Sequence, residues 1–525
     1  MLGKVQSFGT CGIDAYPVEV EVNVTSSDFG RVAVVGLPDA AVKESSERVR
    51  AAILNSGYHY RVFRLTVNLA PAELRKEGPS FDLPIALGTL IASEQIECTR
   101  LDEYAVTGEL ALDGRLRPVK GCLSMALCCR EEGMRGLVVP RENADEAGVV
   151  TGVEIIPMDT LHEVVGFLTG RTVAEPWRVD AEAALRRSAQ YAVDFSDVKG
   201  QEYAKRALTV AAAGGHNLLM IGPPGAGKSM LAQRLPTILP DLTLEEALDT
   251  TKIYSVDGRL RDGGSLIGTR PYRSPHHTVS DVGLVGGGAV PRPGEVSLAH
   301  HGVLFLDELP QFDRRTLEVL RQPMEEGAVH ISRAKMSVTY PAAFMLVTAL
   351  NPCPCGYATD PRKECHCTPR QIQQYLSKIS GPLLDRIDIQ VEVPAVNFRE
   401  LRSDAEGERS EAIRERVVAA RGMQTRRFAP QSLRGSARQH ERGAINTFCN
   451  ARMNHRMIRR HCAIDDAGES LLASAMSGFS LSARAHDKIL KVARTIADLA
   501  GEEALRAEHV SEAIQYRSLD RNLWA

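Results

Sequence analysis

Three rhythms of apolar and polar residues divide the chain. Over about the first 170 residues, short alternating runs trade places with longer helical ones. Residues 18–24 and 61–69 carry apolar side chains at every second position, the period of a half-buried strand. Residues 42–54 and 83–96 have the three-to-four spacing of helices, while 137–140 and 154–157 are short apolar runs that fit buried strands. The polar stretch 175–190 reads as a linker or connecting helix. A second rhythm follows, with apolar runs at 217–221, 303–306, 344–349 and 387–393 and helical segments between them, as in a parallel sheet with crossover helices. The first three runs lead directly into polar, chemistry-bearing residues, which is where a parallel α/β sheet holds its ligands. The third part is helical: Ala485, Ile489, Val492, Ile496 and Leu499 recur at spacings of four and three and share one helix face. The polar region 400–445 is expected to be partly mobile. The expected boundaries are a domain over 1–172, a linker over 173–193, an α/β core over 194–398 with a Cys-rich loop at 353–367, and a helical domain over 399–525.

Composition narrows the class. Apolar residues form 44% and charged residues 25% of the 525, which fits a soluble globular protein of two or three domains. A net charge of -3 provides no global basic field, so any contact with nucleic acid must come from local patches. No apolar run approaches the roughly 18–20 residues of a membrane helix. The opening Met1-Leu2-Gly3-Lys4 lacks the apolar core of a signal peptide, so the expectation is a cytoplasmic protein without membrane contact. Of eleven cysteines, four crowd into 353–367, which points to a metal in a reducing compartment and away from a disulfide framework.

The clearest chemistry lies at Gly222, Pro223, Pro224, Gly225, Ala226, Gly227, Lys228 and Ser229. This segment matches G-x-x-x-x-G-K-[ST], directly after an apolar run and directly before a helix. Glycines let backbone N–H groups curl around phosphate oxygens, and the helix points its positive end at the same anion. Lys228 would reach the outer phosphates and Ser229 would ligate Mg²⁺, so ATP and Mg²⁺ are the expected cofactors. Asp307 and Glu308 end the buried run 303–306, a costly place for two acids unless they work. Asp307 would hold the Mg²⁺ shell and Glu308 would polarise the attacking water. Asn351, after the third run, can orient that water.

Taken with Asp39 in Val35-Gly-Leu-Pro-Asp39, Asn68-Leu-Ala-Pro71, Tyr272-Arg-Ser-Pro-His-His277, Asn351-Pro-Cys-Pro-Cys-Gly356 and Gly381-Pro-Leu-Leu-Asp-Arg386, these motifs make the chain resemble the ComM/YifB family, magnesium-chelatase-like AAA+ competence proteins. The resemblance covers nearly the whole chain. It implies an α/β fold: an AAA+ P-loop core with a C-terminal helical lid, preceded by an α+β Lon-protease-like (ribosomal S5 domain 2-like) domain. It further implies a homo-hexamer with ATP sites between subunits. Arg386 falls at the family's arginine finger, worth roughly 10³–10⁵ in rate in well-studied NTPases; the alternative is a surface pairing with Asp385 or Asp388. Arg484 falls at the lid's sensor arginine, against a solvated helix Arg. The segment from Asp197 to Gln201 resembles the one that flanks the adenine.

Two segments are candidate channel loops for DNA. One carries Arg273, His276 and His277 ahead of Gly283 and Gly286-Gly-Gly288. The other, 329–339, alternates apolar and polar residues around Arg333 and Lys335, as in a hairpin with those two near its tip. Ordinary surface loops are the alternative. Residues 421–460 hold ten Arg, one acid (Glu441) and no Lys, which suits phosphates or an acidic neighbouring subunit equally. Cys353, Cys355, Cys365 and Cys367 form two C-x-C pairs that fit structural Zn²⁺, with His366 able to replace one ligand and four free thiols as the alternative.

In the first domain, Ser80 falls at the nucleophile position of the Lon protease, but the corresponding lysine position falls on Leu123, beside Ser124; Lys120 is the nearest substitute. The expectation is a protease-like fold that has lost proteolysis. The function the resemblance implies is an ATP-dependent branch-migration helicase acting on single-stranded, branched or heteroduplex DNA in natural transformation, with recombination proteins as partners. The alternative is a magnesium-chelatase-type ATPase subunit driving metal insertion.

Overall fold

The computed structural model describes residues 2–26, 31–60, 63–260, 264–288, 290–333, 336–360, 362–395, 407–428, 449–478 and 482–519. They fall into two units, Met1–Ala189 with Thr243–Gly268, and Gln190–Leu242 with Thr269–Ala525. The sequence boundaries do not foresee this exchange. The helix Leu244–Asp257, inside the interval assigned to the α/β core, belongs to the first unit, where Leu244 and Leu248 pack with the core of the helix Cys122–Glu131.

The first unit is α+β. A four-stranded sheet runs in the order Leu2–Cys11, Asp14–Ser26, Phe63–Ala70, Arg31–Val35, antiparallel except for the last, parallel pair. Val18, Val20 and Val22 alternate inward, with Val20 registered between Val5 and Leu69. The helices Ala40–Asn55 and Asp82–Ala92 bury their apolar faces in the same core. The second helix stops short of the expected residue 96, because Glu94 takes a left-handed φ of 58° that no helix continues through. A three-stranded parallel sheet of Tyr104–Val106, Gly136–Pro140 and Glu154–Met158 completes the unit with the helices Cys122–Glu131 and Leu161–Leu168. Ser80 is buried, and so is Leu123. Ser124 Oγ donates to the Ile13 carbonyl at 2.6 Å and Lys120 Nζ to that of Asp257 at 3.1 Å, so both groups nearest the expected lysine position have other partners. Lys76, fully buried, donates to the carbonyls of Pro71 and Leu74.

The second unit is built on a five-stranded, all-parallel sheet in the order Tyr272–Arg273, Val303–Leu306, Met345–Leu350, Leu218–Ile221, Ile389–Glu392. Its three central strands are buried along their whole length, which explains their unbroken apolar runs. The helices Glu202–Gly214 and Lys228–Ile238 share their core, and so do the C-terminal helices Ser410–Phe428, Ala483–Leu499 and Ala507–Gln515.

The expectation of mobility over 400–445 is corrected for its described part. Residues 410–428 form one helix, which buries Ile413, Val417, Ala420 and Gln424 along a single stripe. The stripe is narrow and one member is polar, so composition hides it. Residues 429–448 lie outside the described set. Part of the arginine-rich run also turns inward. Asp498 is fully buried and accepts from Arg427 Nη1 at 2.8 Å, Arg494 Nε at 3.1 Å and Asn450 Nδ2 at 2.8 Å. Arg421 donates to the Ala212 carbonyl at 3.1 Å.

Two expected outcomes follow. Asp498→Ala leaves two guanidinium groups uncompensated in the core, so it should destabilise the chain by about 3–5 kcal/mol, read as a lowered thermal midpoint. In the first unit, burial pushes the Glu146 carboxyl from 4.5 up to about 7, against a hydrogen bond from Asn143 Nδ2 at 3.1 Å. The folded chain thus holds a proton that the unfolded chain releases, and Glu146 contributes less stability as pH rises from about 4.5 to about 7. Glu146→Gln should therefore gain on the parent between pH 5 and pH 8, by about 2–3 kcal/mol at most, with parallel thermal unfolding as the check.

Candidate active site

Parallel pairing sets three carboxyl strand ends at one edge of the sheet. Ile221 is registered against Leu350, so Gly222 emerges beside Asn351, and Leu306 is registered against Thr348, so Asp307 emerges on the strand beyond. Between strand and helix, Gly227 takes φ 89° as the cap of Lys228–Ile238, a conformation that a Cβ would strain. Pro224, Gly225 and Ser229 are exposed at this turn, while Gly222, Pro223, Ala226 and Lys228 are buried.

The side chains converge as the motif requires. Lys228 Nζ donates to the carbonyls of Gly222 (2.6 Å) and Pro223 (3.0 Å) and to Asn351 Oδ1 (3.0 Å). Burial lowers the Lys228 ammonium from its usual value, while the charges of Asp307 and Glu308 act in the opposite sense. Ser229 Oγ donates to Asp307 Oδ2 at 2.6 Å. A hydroxyl and a carboxylate side by side are hard oxygen donors, the chemistry Mg²⁺ takes. Glu308 sits at φ 52°, a left-handed backbone that turns its carboxylate out of the strand line. His277 Nδ1 lies 3.9 Å from Glu308 Oε2. Gln201 donates to the carbonyls of Ala226 and Pro394, which places the Asp197–Gln201 segment against the phosphate loop.

The two candidate arginines have partners within the chain. Arg386 is not paired with Asp385 or Asp388. It donates to the Pro382 carbonyl at 2.6 Å and pairs with Glu325, and its Nε is buried without a hydrogen bond. Asp388 instead meets His216 Nδ1 at 2.9 Å, and Asp385 meets the largely exposed Arg484 at 3.0 Å. No spacing or motif along the chain points to Glu325 as the partner of Arg386.

The first candidate DNA loop is partly engaged within the chain itself. Arg273 lies in the strand Tyr272–Arg273 and makes a two-pronged ion pair with Glu295, at 2.6 and 2.8 Å. Arg270 donates to the carbonyls of Pro240 and His301, and Tyr272 stacks on Phe305. These residues anchor the sheet edge, because a charge beside a buried strand must be paired. His276 is exposed, and His277 is half-buried beside Glu308 and Phe312. The second segment is the expected hairpin, Ala328–Arg333 paired with Met336–Pro341, with Arg333 exposed at its end. Lys335 lies outside the described residues.

The four thiols of Cys353, Cys355, Cys365 and Cys367 lie within 4.8 Å of one another, and His366 is not part of that cluster. The backbone N–H of Tyr357, then the Cys353 thiol, lowers Cys355 to about 6. Tyr375, which the sequence reading passed over, brings its phenol to the backbone N–H of Asn351, and burial pushes it up to about 12.

Comparison with known proteins places these features in a group. Residues 194–401 match the family model described as "Magnesium chelatase, subunit ChlI", residues 20–143 that of "Subunit ChlI of Mg-chelatase", and residues 407–517 that of "Magnesium chelatase, subunit ChlI C-terminal". The chain is 44% identical over 523 residues to the YifB protein of Escherichia coli K12, covering 99% of this chain and 98% of that one. It is 42% identical over 525 residues to the "Competence protein ComM" of Haemophilus influenzae, covering 99% and 98%. Similarity to the "Magnesium-chelatase 67 kDa subunit" of Chlorobaculum parvum is 32% over 166 residues, 30% of this chain and 23% of that one.

The geometry separates binding from turnover. Glu308→Gln should retain ATP binding, read by equilibrium titration, and lose at least about 100-fold in kcat, the range general-base catalysis supplies. Lys228→Ala should weaken nucleotide binding as well.

Proposed function

This chain belongs to the ComM/YifB family of magnesium-chelatase-like AAA+ ATPases, and on that premise we propose that it is an ATP-driven DNA translocase, a hexameric branch-migration helicase used when incoming strands recombine. The observation that carries the ATPase half is the convergence of Lys228, Ser229, Asp307 and Asn351 at one sheet edge. Lys228 would hold the outer phosphates of ATP, Ser229 and Asp307 would hold Mg²⁺, which would neutralise charge on those phosphates, and Glu308 would take up the proton of the water that Asn351 orients as it attacks the terminal phosphorus and ADP leaves. Arg386 would exchange Glu325 for a neighbouring subunit's nucleotide, and Arg484 would sense the phosphates from the lid. Zn²⁺ would occupy the four thiolates. The first unit serves as a platform for assembly or DNA, without proteolysis.

Full-length similarity to a protein named for competence supports the DNA half. DNA phosphates would meet the exposed Arg333 and His276; Lys335, proposed from the sequence for the same role, lies outside the described residues. A magnesium-chelatase-type role is favoured only by the family descriptions, since the named chelatase subunit aligns with 30% of the chain.

The deciding experiment measures the steady-state ATPase rate without DNA and with single-stranded, duplex and four-way-junction DNA, with Lys228→Ala as blank. Junction DNA should stimulate most, and Arg333→Ala should lower the salt slope of DNA binding by about one. An unchanged rate with every DNA in the assembled protein, or stimulation by porphyrin instead, would sink the translocase reading.

A further inference from the structure

The loop that follows Asn351 faces two ways. On one side it gathers four thiols: Cys353 Sγ lies 3.3 Å from Cys355 Sγ and 3.7 Å from Cys365 Sγ, and Cys355 Sγ lies 3.6 Å from Cys365 Sγ. Four sulfurs at Zn–S ≈ 2.3 Å mark a tetrahedron with an edge of ~3.8 Å; the three separations among Cys353, Cys355 and Cys365 lie close to that edge, and Cys367 Sγ is within 4.8 Å of each of them. The Gly356 N–H donates to Cys353 Sγ at 3.2 Å, the kind of outer hydrogen bond that steadies a thiolate ligand.

On the other side the same loop touches the nucleotide site. Gly356 has φ 88°, and a Cβ there would come within 2.6 Å of Pro224 Cδ in the phosphate loop and 3.8 Å of Asn351 Cγ. The Gly356 backbone therefore packs against the Pro224 ring, with no room for a side chain of its own. The last thiol, Cys367, precedes Thr368, whose side chain caps the helix Pro369–Leu376 in a reciprocal box with Gln371. Fixing Cys367 therefore fixes the start of that helix, and its last turn carries Tyr375, whose phenol feels the Asn351 backbone N–H. Asn351 in turn receives Lys228 at 3.0 Å.

We infer that Zn²⁺ in this Cys₄ loop is a brace of the nucleotide site: by fixing Gly356 against Pro224 and Tyr375 against Asn351, it makes ATP turnover depend on metal occupancy. The inference rests on the zinc reading above and goes beyond it, because a metal that only folds its own loop leaves turnover alone. Gly356 and Tyr375 are positioning residues; neither ligates the metal.

The test uses the full chain and two separate readouts. Metal analysis of the purified protein should find about one Zn²⁺ per chain. Chelator-treated protein returned to Mg²⁺ should keep its far-UV circular dichroism and bind ATP, but lose about 10-fold or more in kcat, restored by Zn²⁺ and not by Mg²⁺ alone. Gly356→Ala should keep its Zn²⁺ and lose turnover by a similar factor. Fully active protein without Zn²⁺ overturns the zinc reading and the brace together. Zn²⁺ present, with stripped protein or a metal-loaded Gly356→Ala turning over at the parent rate, overturns the brace alone. Should stripped protein unfold, the metal-loaded Gly356→Ala decides the matter by itself.

Discussion

Strands buried on both faces must satisfy every amide within their own sheet, and that requirement holds the centre of the second unit level. Leu218–Ile221, Val303–Leu306 and Met345–Leu350 have no solvent to turn to, so they pair in parallel and in strict register. Their ends then cannot drift. Lys228 reaches Asn351, and Ser229 reaches Asp307, because the sheet sets those ends side by side and not because either side chain seeks the other. A group placed on rigid strand ends loses little entropy when it acts, which is what chemistry on a phosphoryl group needs.

The helices at the C-terminus are tied to this sheet by polar contacts as well as by apolar packing. His216, buried just before the first central strand, bridges Asp388 and Thr495, so one ring spans a sheet end and the helix Ala483–Leu499. Lys488 and Arg517 add donors to the Ile387 carbonyl. Buried polar links of this kind fix orientation more than they add stability. Around Asp498 the same logic assembles two arginines and an asparagine from three separate segments. The arginine-rich composition there therefore serves two ends, part surface charge and part internal scaffold.

Legibility in the sequence followed the number of constraints acting on each residue. The phosphate loop was plain because glycine, lysine and hydroxyl must all fall at fixed offsets between a strand and a helix, and the fold confirms that setting. The central strands were plain because burial on both faces demands unbroken apolar runs. Less could be read where one residue's role depends on a distant partner. Nothing local to Arg273 announces Glu295, and nothing near Arg386 announces Glu325. Tyr375 went unnoticed for the same reason, since its contact with Asn351 exists only once the Cys-rich loop has closed between them. The helix Ser410–Phe428 was missed because its apolar stripe is one residue wide and ends in a buried glutamine.

The segment Thr243–Gly268 leaves the second unit after Leu242 and rejoins it at Thr269, so the backbone passes between the units at three places. Dissection of the gene is constrained accordingly. A single cut near residue 190 releases neither unit intact: the downstream fragment keeps the helix Leu244–Asp257 but loses the core that covers Leu244 and Leu248, while the upstream fragment loses a helix it packs against. The two units are modular in space without being modular in sequence, and recombination or truncation that treats residue 190 as a seam cuts through a shared structure.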